Sequence, residues 1–559
     1  MIRSVERREY TFKLIATLTI LAGLLGFLAE TTYREFFESI IRLAHSEEYN
    51  YIIVSSLTII IVLYLALKRI DLSHGVRPSK VVFTVVLLLL SIATYSLAQL
   101  DLEFRVQLMG FSFVCILTAL LLLIYEPSSV GEVLVFLTPL LLIPLPLRLI
   151  DPLTLVLSKY IGKLVGIVSR AKIIETPVST QLEIISVTSE PVKFSVETAC
   201  TSIVAVSSIL IVIPLLLYTV AFSVDNPARK ALISLFSLLA ALLIGFLGSF
   251  IRVLIAVYAI ARLSVEHVYT LLHYSPPALY TVISILTVSY IMRKYLKFKE
   301  HSPRNLLEDF SLKITWGRVA GILLLVVIIV SSVSLAVHTI SSEVGVPNIT
   351  INAPSISNFL QNPAKYISTS KVVFTSSEYN SFLTRILGAL AVYKVIARSP
   401  EGLYTGYIEL TDTPAKLHTW EFCLALQEYL VKASWSSSVS SVKVNFIAIE
   451  RGNWRGVLAH TLFPVIVRTP SGEYSIYTRI SLFSEEASNI TGKLSSILLS
   501  VILEHSGERA GVGVIGFLNI LSQSSIYILG VFLVYFVVVL IYKYRVRGVL
   551  LSGEYKARF

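Results

Sequence analysis

Three residues in this 559-residue chain are of types that together can open an amide bond: Cys200, Arg252 and His273. Cys200 closes the stretch FSVETAC, where a polar, strand-like segment gives way to a long apolar run. In the first turn of a helix, the free amide groups and the positive end of the dipole stabilise a thiolate, so the position suits a nucleophile. Arg252 interrupts the run GFLGSFIRVLIAVYAIA. A charge at membrane depth costs about 2.5–3.5 kcal/mol even on the mildest scale, so this arginine should face the interior of a bundle and have a partner there. His273, in VEHVYTLLHYSPPALY, is a neutral imidazole that can take a thiol proton and return it to a leaving amine near neutral pH. Thiol, cation and imidazole are the set needed to attack a carbonyl and stabilise the oxyanion that forms. Each has an ordinary alternative: a small apolar core residue for the cysteine, a guanidinium snorkelling to headgroups for the arginine, an inert interfacial ring for the histidine. His267 competes with His273 from a different face of a helix. Cys115 has the setting of a plain core residue.

The elements that must position this trio are membrane spans. Hydrophobic residues make up 55% of the chain against 15% charged, with a mean hydropathy of +0.76, which excludes a soluble globular protein. Apolar runs long enough to cross a bilayer lie near 12–30, 51–67, 81–98, 106–124, 130–147, 200–222, 231–258, 277–292, 317–338 and 524–542, about ten spans. The net charge of +11 comes from Lys and Arg clustered at the ends of these runs, and we read it as topology rather than nucleic-acid binding. With alternating crossings, the clusters at Arg3 to Lys13, Lys68 to Lys80, Arg229–Lys230, Arg293 to Arg304 and Lys543 to Arg547 share one side, which predicts two cytoplasmic termini. The first run reads as a retained anchor rather than a cleaved signal. Residues 148–199 then fall outside, despite their lysines and arginines, with LTLVLSKYIGKLVGIV as an amphipathic segment on the outer surface. That loop ends in two β-rich runs flanking Ser189-Glu190-Pro191, a hairpin that delivers Cys200 to the outer rim. A helix starting near Ala231 reaches the same rim about twenty residues later, which brings Arg252 level with Cys200. The three cysteines, Cys115, Cys200 and Cys423, form no metal-ligand spacing with histidine or with one another, and no cofactor is implied.

The stretches ETACTSI, GSFIRVLIA and LLHY resemble, in order, spacing and sidedness, the motifs of the exosortase/archaeosortase family: an Ala-Cys-Ser/Thr element, an Asn-x-x-Arg element and a downstream histidine or arginine. The likeness covers residues 80–295. Ser249 stands where the pattern has Asn, Ser202 where many members have glycine, and no glycine follows His273 at the customary place. The resemblance implies a membrane cysteine transpeptidase or protease with Cys200 as nucleophile, Arg252 as the oxyanion-stabilising or positioning cation and His273 as general base and acid. Its substrates would be secreted precursors ending in a short motif, an apolar span and a basic cluster. The new carboxyl end would pass to an acceptor, in archaea a membrane lipid.

Residues 340–523 mix strand and helix patterns between two spans and carry the sequons at Asn348 and Asn489, which predicts an extracytoplasmic α+β domain inserted before the last helix. Within it, LHTWEFCLALQEYLVKASW is similar to the soluble accessory domain fused behind some bacterial exosortases, with His418 and Cys423 matching a His-x-x-x-x-Cys element. A second thiol–imidazole pair stands there against the alternative of buried structural residues. The expected layout is therefore N-terminal spans over 1–80, a catalytic core over 81–299, a cytoplasmic loop and span over 300–339, the outer domain over 340–523, and a last span and tail over 524–559. Two rival functions remain open at this level: a transporter or lipid-linked carrier in which Arg252 binds an anionic group, and a non-enzymatic receptor anchored by the bundle.

Overall fold

A backbone inside hydrocarbon must satisfy its own N–H and C=O groups, so apolar runs become helices there. The computed structural model describes residues 23, 25–45, 49, 51–67, 69–72, 78–175, 180–185, 191–196, 202–260, 277–296, 349–427, 429–439, 442–485 and 489–506. A short amphipathic helix α1 (Arg34–Ala44) precedes α2 (Tyr51–Leu67), α3 (Pro78–Leu100) and α4 (Arg105–Ile124). The run at 130–147 is not one helix. It is α5 (Val130–Phe136) followed by a 3₁₀ turn over Thr138–Leu142, because Pro139 has no amide hydrogen to continue the ladder. Helices α6 (Leu147–Ser169), α7 (Ser202–Phe222), α8 (Pro227–Ile260) and α9 (Pro277–Tyr295) complete the described bundle, with α3 against α4 and α8 against both α7 and α9. Among the described residues, Val82–Leu100, Arg105–Ile124 and Pro227–Ala259 are long and apolar enough to cross a membrane, and Tyr51–Leu67, Val130–Leu142 and Ile209–Phe222 are shorter apolar helices. The expected spans 317–338 and 524–542, and most of 12–30, lie outside the described residues.

Polar contacts fix which helix ends share a side. The Arg69 guanidinium stands over the rings of Tyr218 and Phe222, 5.5 and 5.4 Å from their centroids. Arg229 Nη2 donates to the Tyr295 carbonyl at 2.8 Å and Lys230 Nζ to that of Val220 at 2.9 Å. The ends of α2, α7 and α9 and the start of α8 thus form one basic end. At the opposite end, the loop between α3 and α4 carries Asp101 and Glu103. Inside, the hydroxyls of Tyr33, Ser91 and Ser112 join at 2.6 and 2.8 Å, a buried polar link between helices.

After α6 the chain forms a small antiparallel sheet, β1 (Lys172–Glu175), β2 (Thr180–Ile185) and β3 (Pro191–Val196). β2 and β3 are the hairpin expected around Ser189-Glu190-Pro191; β1 adds a strand that the sequence did not suggest. Beyond the bundle lies an eight-stranded sheet: β4 (Ile349–Asn352), β5 (Val373–Tyr379), β6 (Ala391–Ser399), β7 (Gly402–Thr411), β8 (Leu430–Val439), β9 (Val442–Arg451), β10 (Trp454–Thr469) and β11 (Gly472–Glu485). Its order is β8-β9-β10-β11-β7-β6-β5, and the second half of the long β10 pairs in parallel with β4. Gly452, at φ +60°, makes the tight β9–β10 turn that an L side chain would strain. Helix α10 (Trp420–Leu426) lies on one face of this sheet. Helix α11 (Ile490–Ser506) covers the other, burying Leu494, Ile497, Leu498, Val501 and Ile502 at helical spacing.

Candidate functional site

Arg252 is 6% exposed. At about 1.5 Å per residue it stands about 37 Å along α8 from Pro227, beyond a hydrocarbon layer of about 30 Å and so toward the end opposite the basic one. It shares a helix face with Ser249 and Ala256, one turn to either side, both fully buried. The adjoining Val253, Ala256 and Val257 pack into one cluster with Ile161 and Val165 of α6 and Leu182 and Ile184 of β2.

Two glycines let the small sheet lie on α6. A Cβ at Gly162 would stand 2.6 Å from the Thr180 Cβ, and one at Gly166 would stand 2.5 Å from the Ile173 side chain. Thr180 Oγ1 donates to the Lys159 carbonyl at 3.3 Å, and Thr180 pairs in register with Val196, the last residue of β3. The same α6 surface therefore supports both the face of α8 that carries Arg252 and the strand pair whose end precedes Cys200 by four residues. Cys200, His267 and His273 lie outside the described residues; the backbone stops at Val196 and resumes at Ser202, and stops at Ile260 and resumes at Pro277.

The second thiol–imidazole pair takes structural positions. Cys423 is fully buried among Leu383, Leu387, Trp420, Leu424 and Ile447. The half-buried His418 ring stacks on Phe422, centroids 5.1 Å apart. Cys115 is likewise a buried core residue of the bundle.

Sequence reasoning missed a buried charged network in the sheet. Glu409 of β7, with no exposed surface, accepts hydrogen bonds from Arg479 Nε at 2.6 Å, Trp420 Nε1 at 3.0 Å and Ser481 Oγ at 2.7 Å. Arg479 Nη1 donates to the His418 carbonyl at 3.1 Å, and the guanidinium lies over the Trp420 ring. Four donors thus converge on one carboxylate and one carbonyl, which satisfies a charge pair that burial alone would make costly. The sheet domain docks through polar contacts at the acidic end of the bundle. Lys443 Nζ meets Asp101 and Glu103 at 3.3 and 3.5 Å, Asn445 donates to Glu103 at 2.6 Å, and the Tyr49 hydroxyl sits between the carbonyls of Leu145 and Ala415.

A membrane-embedded bundle with a buried arginine beside a strand pair, capped by a sheet domain, is the class these features define. Residues 43–290 match the family model described as transmembrane exosortase (Exosortase_EpsH), a match that supports an exosortase/archaeosortase-family membrane protein. The family is one of membrane transpeptidases acting on secreted proteins with C-terminal sorting signals. The match starts earlier than the resemblance read from the motifs, takes in Cys200, Arg252 and His273, and leaves out the sheet domain. No curated protein and no solved structure matches the chain.

Proposed function

We propose that the chain is a membrane-integral cysteine transpeptidase that cleaves C-terminal sorting signals and transfers the new carboxyl end to an acceptor, a membrane lipid. The Cys200 thiolate attacks the scissile carbonyl, Arg252 holds the charge that develops on its oxygen, and His273 gives a proton to the amine as the C–N bond breaks. An acceptor amine or water then opens the thioester and restores the thiol. The supporting observation is the burial of Arg252 on the helix face that packs, through α6, beside the strand pair leading to Cys200. In this reading the acidic end of the bundle and residues 340–523 face outward, both termini are cytoplasmic, and the domain layout is the one drawn from the sequence.

The test pairs two variants at equal expression. Cys200→Ser keeps size and packing but lacks an accessible thiolate, so uncleaved precursor should accumulate. Arg252→Lys keeps charge but replaces a planar, two-donor fork with a point charge, and should slow processing about 100-fold or more. Wild-type processing by Cys200→Ser ends the transpeptidase reading. Near-normal processing by Arg252→Lys alone reduces the arginine to a headgroup anchor.

A further inference from the structure

The seam between the sheet and the bundle encloses a cavity of about 270 Å³, near the lower bound of ligand pockets. The bundle contributes Glu103 and Phe104 from the loop before α4, Gln107 from its first turn, and Pro146 from just before α6. From the sheet come Ser436, Asn445 and His460, which pair in one row across β8, β9 and β10. Behind them stand Arg479 and Trp420, already locked to Glu409. On the opposite face of β8, Trp435, 41% exposed, stacks on Phe446 with centroids 5.6 Å apart.

Two of the charges in this lining are matched by ion pairs, Lys443 by Asp101 and Glu103 and Arg479 by Glu409, and the Glu421 carboxylate accepts from Ser434 Oγ at 2.9 Å. What the cavity offers beyond these is mostly neutral donors and acceptors, including a buried Gln107 Oε1 with no hydrogen bond. Such a lining suits a polar, uncharged ligand with both donors and acceptors along its length. The wall formed by Ser434, Trp435 and Ser436 belongs to β8, the outermost strand of the sheet among the described residues, whose side chains from Lys432 to Ser438 are exposed. An open strand edge presents backbone groups that an extended peptide can pair with, while adjacent pockets read its side chains. A sugar would have no use for that backbone edge.

We propose that this seam cavity and the β8 edge bind, in extended form, the polar segment of the precursor on the amino side of its apolar span. The proposal rests on the transpeptidase reading and adds a recognition site to it. It also sets a reach. Ile161, which packs with the face of α8 that carries Arg252, lies about 21 Å along α6 from Leu147, the residue after Pro146. An extended chain covers that in about six or seven residues.

A photo-reactive benzoylphenylalanine at Ser436, in the full chain carrying Cys200→Ser and expressed in its own cells, tests the site. Irradiation should yield an adduct to a secreted precursor, with the joined peptide mapped by mass spectrometry to within about ten residues on the amino side of the C-terminal apolar span, as that reach requires. In the catalytically intact chain, Ser436→Trp should fill the cavity and raise KM for precursor at least tenfold while kcat and protease resistance of the sheet stay as in wild type. Adducts only to glycan, to lipid or to this chain itself, or an unchanged KM, overturn the proposal. If that happens while Cys200→Ser is inactive, only the recognition site is lost. A precursor adduct from a chain whose Cys200→Ser still processes would instead sink the transpeptidase reading and leave a peptide-binding domain.

Discussion

Arg252 and Arg479 are buried to the same degree, each 6% exposed, and they arrive there by different physics. Arg252 sits on a helix in an apolar run, with small and branched residues around it on the face that meets α6 and β2. Arg479 sits mid-strand, and its charge is cancelled where it stands by Glu409, directly opposite it in the register between β11 and β7. The helix arginine is placed by periodicity along one segment. The strand arginine is placed by a partner 70 residues away. A cation matched in place by Glu409 holds the sheet together, whereas Arg252 carries chemistry only in the transpeptidase reading proposed above.

The strongest way to break this comparison is to remove the strand cation. Arg479→Leu leaves Glu409 buried without its counter-charge and should destabilise the sheet by about 3–5 kcal/mol. The double variant Arg479→Leu with Glu409→Leu should recover most of that, because Trp420 Nε1 still has Ser481 Oγ at 2.8 Å as an acceptor. Thermal melting and limited proteolysis of the solubilised full chain read both. Equal damage from the single and the double change would mean that the pair carries no structural charge balance.

The same contrast explains what was legible. In GFLGSFIRVLIA an arginine interrupts a continuous apolar run, and that break marks it from sequence alone. In GEYSIYTRISLF it follows a threonine and alternates with apolar residues, the pattern of a strand with one solvated face, so nothing marks Arg479 as buried. The bundle helices α2, α3, α4, α7, α8 and α9 follow their apolar runs closely, since hydropathy and helix formation are one requirement in lipid. The split of 130–147 at Pro139 and the third strand β1 escaped notice, one because the run reads as continuously apolar, the other because KIIE is too short to show alternation. His418 and Cys423 carry a motif likeness, yet the side chains that surround Cys423 come from α10, β9 and residues 383–387, contacts no local pattern reveals.

A smaller change should sharpen the comparison from the bundle side. Gly162→Val pushes a branched side chain against Thr180, where even a Cβ would stand 2.6 Å from the threonine Cβ. The overpacking should cost about 1–3 kcal/mol and lift the strand pair off α6. Because that pair leads to Cys200, precursor processing should fall while the melting of the eight-stranded sheet stays unchanged. Intact processing with a displaced strand pair would uncouple the hairpin from the site.

The smallest expected effect comes from the seam, where the Tyr477 hydroxyl of β11 donates to Glu35, which also accepts Arg105 Nη2 at 2.8 Å. Burial pushes the Tyr477 hydroxyl well above the ordinary tyrosine range; the Glu35 carboxylate adds to this, and Arg105 and Arg42 oppose it. Since the folded state holds this proton more tightly than the unfolded chain, the contribution is fully present below the unfolded value of about 10 and is lost as pH rises through that value toward the folded one. At pH 10.5 the loss from this one group is under about 1 kcal/mol. Burial raises Tyr407 in the same sheet as well, so alkaline melting of the wild type alone would mix several groups. The informative quantity is the difference between the wild type and Tyr477→Phe, which has no proton to lose at that position. The wild type should be the more stable of the two near neutral pH, and the gap should narrow between about pH 9 and 10.5. Parallel curves over that range would show that Tyr477 does not hold its proton more tightly in the docked domain than in the unfolded chain.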